Sequence, residues 1–530
     1  MSLEQKAFNL LDEQWILATD TQGRPCELSL VEALTRAHEL RTLSGEMVAQ
    51  DIAILRLLLA ILYCVYTRTD EYEQARDEKD PAATRQIWKE IWNAGKFDSE
   101  RITQYLYGYH ERFCLVHPER PFYQIAGLDV GTEYSAGKLI GDLAESGNKT
   151  QLFAIYSGEA KGSITYSGAA RWLIHLNSFV DNSAKPKSKE DGKGKPGGGP
   201  GWLGHLGLVW ASGNNLFETL MLNFALHDRY ENPWPPGQAA WELDRPRTAE
   251  RTEIPVPGSQ QELLTLQSRR VLIYTQNNMV TGYLELGGDR FAHDDAFVEL
   301  MTAWGNKENT YKPKKHDTSK QLWRTIAPII TETDTTKTPG VVKWLVALED
   351  DGIISSHDAE ICAMSVDYGS QSCGIKEVWA DSISLNMALL SRLKENWITQ
   401  ITMLIGTTEK MVCQLGWLAS DIAKAVGDTD GKHRAEAARE EAYFALDMPF
   451  RSWLANLDPV IGDIDKATAA WLGTAEKTIL RLGQDIVSQA GQAAFIGRLV
   501  DDKKAKKKIS FTAPEAYNKF RALIRKIAKE

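Results

Sequence analysis

The rhythm of apolar and polar positions along the 530 residues changes near Ser391. Before it, short apolar runs alternate with Gly-, Pro- and Lys-rich stretches. After it, apolar residues recur every three to four positions in long blocks. The first part predicts a strand over 8–18. Ser29, with Glu32 three residues on, predicts a capping box for a helix reaching about His38. Residues 48–66 predict a core helix. Arg56 interrupts its apolar run, which leaves less than the roughly 20 residues a membrane span needs. Residues 82–94 and 98–116 read as helices, and the spacing of Trp88, Trp92, Tyr105 and Tyr109 suits core packing on one face. Arg270–Thr275 and Val280–Leu286, joined by a turn at 276–278, read as a hairpin. A polar, Lys-rich loop is expected from Gly305 to Lys320. The second part predicts helices at 394–426, 433–456, 463–496 and 512–528. The expectation is an α+β protein. A large, irregular mixed N-terminal domain (1–385) with small sheets and long loops precedes a C-terminal antiparallel four-helix bundle (386–530).

Two stretches break the pattern. Residues 146–168 carry a small apolar group, Leu152–Tyr156, among Gly and Ser, and read as a long mobile loop with an apolar tip. Residues 181–201, DNSAKPKSKEDGKGKPGGGPG, are of low complexity and predict a weakly ordered segment. No repeat of 20–50 residues is visible.

Composition changes this picture in one respect. Lys plus Arg number 61 and Asp plus Glu 71, for a net charge of −10, which excludes a globally basic nucleic-acid coat. The lysines nevertheless cluster: Lys185, Lys187, Lys189, Lys193 and Lys195; Lys312, Lys314 and Lys315; Lys503, Lys504, Lys506, Lys507 and Lys508. An acidic body with basic, glycine-rich loops favours phosphate contact through those loops. Six cysteines without C-x-x-C spacing suit reduced thiols in a cytoplasm, and the N-terminus lacks a signal-peptide pattern.

Evidence for catalysis is thin. Gly192–Gly197 matches G-x-G-x-x-G formally, but without the strand and helix that a dinucleotide site needs. No Walker loop, H-E-x-x-H or G-x-S-x-G occurs. His293-Asp294, His316-Asp317 and His357-Asp358 leave open a metal-dependent phosphohydrolase or nuclease, the alternative to a binding role.

FNLLDEQWI, SLVEALTRAHEL, AILRLLLAIL and PFYQIAGL, in that order, with the long loops and the terminal bundle, resemble CasA, the large-subunit family of the type I-E CRISPR Cascade surveillance complex. The resemblance implies a non-enzymatic subunit without cofactor or membrane association. Its partners would be other Cascade subunits with guide RNA, double-stranded target DNA and a helicase–nuclease. It would recognise the protospacer-adjacent motif (PAM), help open the duplex and recruit the nuclease, while base pairing reads the sequence. By position, Leu152, Phe153, Ala154, Ile155 and Tyr156 correspond to the family's docking loop, with Phe153 the best anchor. Gly197, Gly198 and Gly199 correspond to its minor-groove glycine loop, flanked by Lys193 and Lys195. Gln371, beside Ser370 in YGSQS, corresponds to its wedge between base pairs. Where relatives carry a lysine finger this chain reads TGYLELGGDRF, with Arg290 as the nearest cation and Asn277 or Asn278 as a substitute at the turn. Where some carry zinc-binding cysteine pairs it reads YSGAARW, so no metal is expected.

Overall fold

A computed structural model describes residues 7–68, 81–141, 161–182, 199–354, 358–369, 374–391, 395–428, 430–502 and 507–529. The fold is α+β. Backbone contacts group Met1–Ser319, Glu332–Leu348 and Ala359–Ser382 into one unit, and Lys320–Thr331, Glu349–Asp358 and Ile383–Glu530 into a second.

The first unit is built around the helix Val48–Tyr66. It is long and apolar enough to cross a membrane, but it lies buried inside the unit. Arg56, in its middle, is compatible with that burial because its guanidinium meets the Glu299 carboxylate through two bonds of 2.8 and 2.9 Å. The helix Leu30–Thr35 begins with the capping box read from sequence: Ser29 Oγ accepts from the Glu32 amide, and Glu32 accepts from the Ser29 amide. The largest sheet centres on the hairpin Arg269–Gln276/Met279–Gly287, whose second strand also pairs with Thr132–Ser135 and Ile164–Thr165. Asn277 and Asn278 both have positive φ, 52° and 57°, as a two-residue type I′ hairpin turn requires. A second sheet places Asp358–Tyr368 between Ile375–Asn386 and Gly207–Ser212.

Three expectations needed correction. The strand expected over 8–18 is confined to Ile16–Asp20, because Asn9 folds the chain before it: its side-chain oxygen accepts from the Leu11 amide and its carbonyl from Glu13. The helix expected over 98–116 stops at Gly108 and tightens to a 3₁₀ turn, His110–Phe113. The Lys-rich loop expected from Gly305 to Lys320 is partly a hairpin, Trp304–Lys307/Thr310–Pro313. Its turn, Glu308-Asn309, also has positive φ at both positions but lacks the Asn-Gly signature that announces such turns.

The second unit holds the helices Glu395–Val426, Lys432–Ala455, Ile464–Ser488, Gly491–Ile496 and Ala513–Ile527. These form the expected helical bundle, with the third block broken before Gly491, where φ is +70°. Its core is aromatic: Phe450 stacks on Trp323 at 4.6 Å and meets Trp471 edge-on at 4.9 Å. Trp471 donates to Thr408 Oγ1 at 3.0 Å, so the buried indole N–H is satisfied.

Candidate nucleic-acid interface

The helix Tyr166–Phe179 ends where the low-complexity segment begins. The described chain leaves at Asn182 and resumes at Gly199, and the two sides are tied together. Gly201 donates to the Val180 carbonyl at 2.9 Å, and Gly199 donates to Asn182 Oδ1 at 2.9 Å. One guanidinium bridges both sides: Arg269 Nη2 donates to the carbonyls of Asp181 and Gly199, each at 3.0 Å. Arg269 is 1% exposed and is held by Glu285 at 3.1 Å and by the Ser268 carbonyl at 2.7 Å. A planar fork of five donors suits several carbonyls at once. Lys138 adds a buried ion pair to Asp181 at 2.6 Å. Gly199 adopts φ +87°, and at Gly201 any Cβ would overlap the Ser178 backbone. Glycine is therefore required at this root by conformation at one position and by space at the other.

The root of the hairpin Asp358–Tyr368/Ile375–Asn386 lies against the same place. Gly369 donates to the Gly374 carbonyl at 2.9 Å, the last described bond before residues 370–373. Tyr368, half-buried, donates its hydroxyl to the Phe179 carbonyl at 2.7 Å, and its ring occupies the space a side chain at Gly204 would need. Lys315 Nζ sits 5.3 Å from the Tyr368 ring centroid and donates to the Val366 carbonyl at 3.0 Å. Burial lowers the Lys315 pKa and raises that of Tyr368.

A cationic and aromatic cluster borders this junction. Trp202 stacks on His293 at 5.5 Å, and His205 meets His293 at 4.0 Å. His205 Nε2 donates to the Pro200 carbonyl at 3.2 Å. Burial, reinforced by His293 and Lys315, pushes its pKa down to about 3, so it is neutral at ordinary pH. Burial and the nearby Arg290 also lower the His293 pKa. Arg290 is itself half-buried within the field of Arg269. The arrangement positions loops and supplies positive field; among the described residues, no group of three or more His, Cys, Asp and Glu could hold a metal.

Of the residues named from sequence, the structure brings Gly199 and Arg290 to this junction. It does not bring Asn278 there. The junction is at the Arg269 end of an eight-residue strand and Asn278 is beyond the other end, roughly 25 Å away at about 3.3 Å per residue. Arg290 lies on the strand Asp289–Phe291 rather than at the hairpin turn, so it does not occupy a finger position. Gly197, Gly198, Lys193, Lys195, Ser370, Gln371 and Leu152–Tyr156 lie outside the described residues. The His-Asp pairs serve local structure: Asp294 pairs with Lys312, His316 Nε2 bonds the Leu208 carbonyl, and Asp317 bonds Ser319. His357 lies outside the described residues. Arg269, Tyr368 and Trp202 were missed as site residues. The paired arginines opening a strand that turns inward were the available signal, since a buried cation needs partners.

Comparison with known proteins adds the following. The family described as CRISPR-associated protein Cse1 matches residues 9–482. A CasA/Cse1 protein of Thermus thermophilus is 32% identical over 263 residues, which is 48% of this chain and 47% of the relative, so the match spans about half of each. The crystal structure of Thermobifida fusca Cse1 superposes with a TM-score of 0.84 at 29% identity, covering 100% of this chain and 99% of that one. A chain of a solved CRISPR RNA-guided surveillance complex shares the fold at 16% identity, with a TM-score of 0.71 over 98% and 99% of the two chains.

Proposed function

The chain belongs to the CRISPR-associated Cse1 family, and we propose that it acts as a non-enzymatic subunit of an RNA-guided surveillance complex, reading the protospacer-adjacent motif in duplex DNA and opening the duplex beside it. Its partners in this reading are the other Cascade subunits with guide RNA, the target duplex, and a helicase–nuclease that it recruits.

The observation that carries the reading is the junction of two loop roots. Tyr368 fastens the hairpin that bears Gln371 to the Phe179 carbonyl, at the root of the segment that bears Gly197–Gly199. A motif reader and a strand separator must act on neighbouring base pairs, so their supports must share one rigid base. Glycine permits close backbone approach to the minor groove, whose degenerate pattern suits a tolerant reader. Arg290 and the loop lysines Lys193 and Lys195 contribute phosphate attraction, and Ser370 flanks the wedge. Unstacking costs a few kcal/mol per step, which those contacts must offset. Asn278, at the far end of its hairpin, is not assigned to the motif.

In the assembled complex, Gln371→Ala is expected to weaken strand opening more than initial motif binding. Permanganate footprinting of the separated strand against a mobility shift at matched occupancy measures this. Unchanged opening overturns the wedge assignment. The metal-dependent alternative predicts stoichiometric Mn, Fe or Zn in the purified protein and loss of nuclease activity on replacing His293 or His316.

A further inference from the structure

The PFYQIAGL segment has no part in the junction above, yet it forms one wall of a separate cleft in the first unit. The opposite wall comes from Trp241, Leu243 and Arg247, and Asp289 and Gln267 close the end. The space is about 60 Å³, several times what one water needs and far below the roughly 300–1,000 Å³ of a pocket enclosing a drug-sized ligand. Asp289 and Arg290 are successive strand residues, so their side chains point to opposite faces of the strand. Arg290 faces the His205–His293 cluster, and Asp289 faces this cleft.

The cleft is rich in guanidinium groups. Asp289 is the one carboxylate among its lining residues, and it is shared by three arginines. Arg251 takes it through bonds of 2.8 and 2.7 Å, Arg247 at 3.2 Å, and the buried Arg270 closely. Of these three only Arg247 lines the cleft itself, and two further arginines line it too. Arg112 donates to the Leu243 carbonyl at 3.1 Å, which leaves its charge without a counter-ion in that bond. Arg120 is exposed, and among the described residues only its backbone amide is hydrogen-bonded, to His117 Nδ1. Glu262 lies within the field of Arg251 and opposes part of the excess. A second observation marks the same place: Tyr123, a buried aromatic in the wall, is held at φ +55°. For a bulky residue this is a strained conformation, and such residues cluster where ligands are held.

We propose that this cleft is an oxyanion site that takes a phosphate group, with Arg120 and Arg112 as its free donors and the Asp289-centred arginines as its fixed field. Guanidinium forks match phosphate geometry. The opening admits one tetrahedral group and excludes a base, so binding would be independent of sequence. The phosphate is either that of a nucleic-acid backbone or free inorganic phosphate.

The test uses the full chain at fixed ionic strength, with inorganic phosphate titrated by calorimetry and a fluorescent single-stranded oligonucleotide titrated by anisotropy. Arg120→Glu reverses a charge at an exposed position and leaves the fold intact; Arg120→Lys keeps the charge but not the fork. The wild type is expected to bind phosphate. Arg120→Glu is expected to weaken that binding at least about tenfold, the loss of one charge-assisted bond, and Arg120→Lys less. If the oligonucleotide weakens in parallel, the source is a backbone phosphate. If only inorganic phosphate weakens, the source is the free ion. Wild-type chain that binds no phosphate below about 10 mM, equal binding by all three proteins, or weakening for the oligonucleotide alone overturns the proposal.

Discussion

Arg269→Met is the most informative perturbation of the loop roots, because the side chain is too deeply buried to touch DNA. Methionine fills much of the same space without the fork. The substitution removes the Glu285 ion pair at 3.1 Å, with both partners 1% exposed, and the bonds to the carbonyls of Ser268, Asp181 and Gly199. Breaking one side of a buried pair costs about 3–5 kcal/mol, because the remaining charge stays desolvated. Replacing both partners costs less than the sum, so Arg269→Met/Glu285→Gln should recover at least about 1 kcal/mol. Hydrogen exchange of the peptide spanning 269–287 under increasing urea reads the stability of this hairpin. A mobility shift of motif-bearing duplex by the assembled complex reads function. The expectation is a large stability loss together with weakened motif binding, in a subunit still incorporated in the complex. Arg269→Lys should fall between, since an ammonium keeps the charge but cannot span two carbonyls and a carboxylate in one plane. A loss below about 1 kcal/mol for Arg269→Met, or motif binding equal to wild type, would refute the clamp.

Three further outcomes follow from separate places. Phe153→Ala is expected to release the subunit from the complex, and co-elution equal to wild type counts against the docking loop. Gly201→Ala should destabilise by about 1–3 kcal/mol, since its Cβ would overlap backbone atoms that cannot yield, whereas Gly258→Ala, with nothing within 4 Å, should stay within about 0.5 kcal/mol; equal melting shifts for the two would deny the tight root. Asp51 accepts from the Gly45 amide at 2.7 Å, and burial raises its pKa to about 7. Between about 3.9 and 7 the unfolded chain sheds this proton while the folded one keeps it, so the group's contribution is full below that window and is lost as pH rises through it. Asp51→Asn should therefore raise the melting temperature relative to wild type at pH 8 and not at pH 4; the same difference at both would show that the carboxyl does not titrate as stated.

Local signals carried much of the fold. The Ser29–Glu32 box, the buried helix Val48–Tyr66 and the hairpin ending at Asn277-Asn278 are each written within a few residues. The Glu308-Asn309 turn escaped because its positive φ values are imposed by pairing on either side rather than by the residues themselves. The candidate site was legible by loop but not by support. Gly199 could be named from a glycine run, whereas Arg269 and Tyr368 act through contacts 70 and 189 positions away in sequence. A buried ion pair leaves no local pattern, since its two halves meet only after folding.

The same distinction bears on how a chain of net −10 would present cations to a phosphate backbone in the proposed role. Its buried arginines are structural: Arg56 with Glu299, Arg171 with Glu46, Arg229 with Glu332, Arg269 with Glu285 and Arg270 with Asp289. Each pair removes one charge of either sign from the surface, so the pairs leave the surface imbalance unchanged and reduce the cations available outside. Guanidinium suits this work because it is weakly hydrated and satisfies several acceptors at once. The cations left for the proposed DNA contact include the thirteen lysines that the sequence gathers in three short clusters. Lys315 shows the limit of reading such clusters directly, since its ammonium sits over the Tyr368 ring and bonds the Val366 carbonyl. Motif binding should therefore depend on salt through few phosphate contacts, with a slope of about −0.9 per contact, and the acidic remainder would discourage wrapping DNA elsewhere. A slope demanding as many contacts as the clusters have lysines would contradict this division of labour between buried arginine and loop lysine.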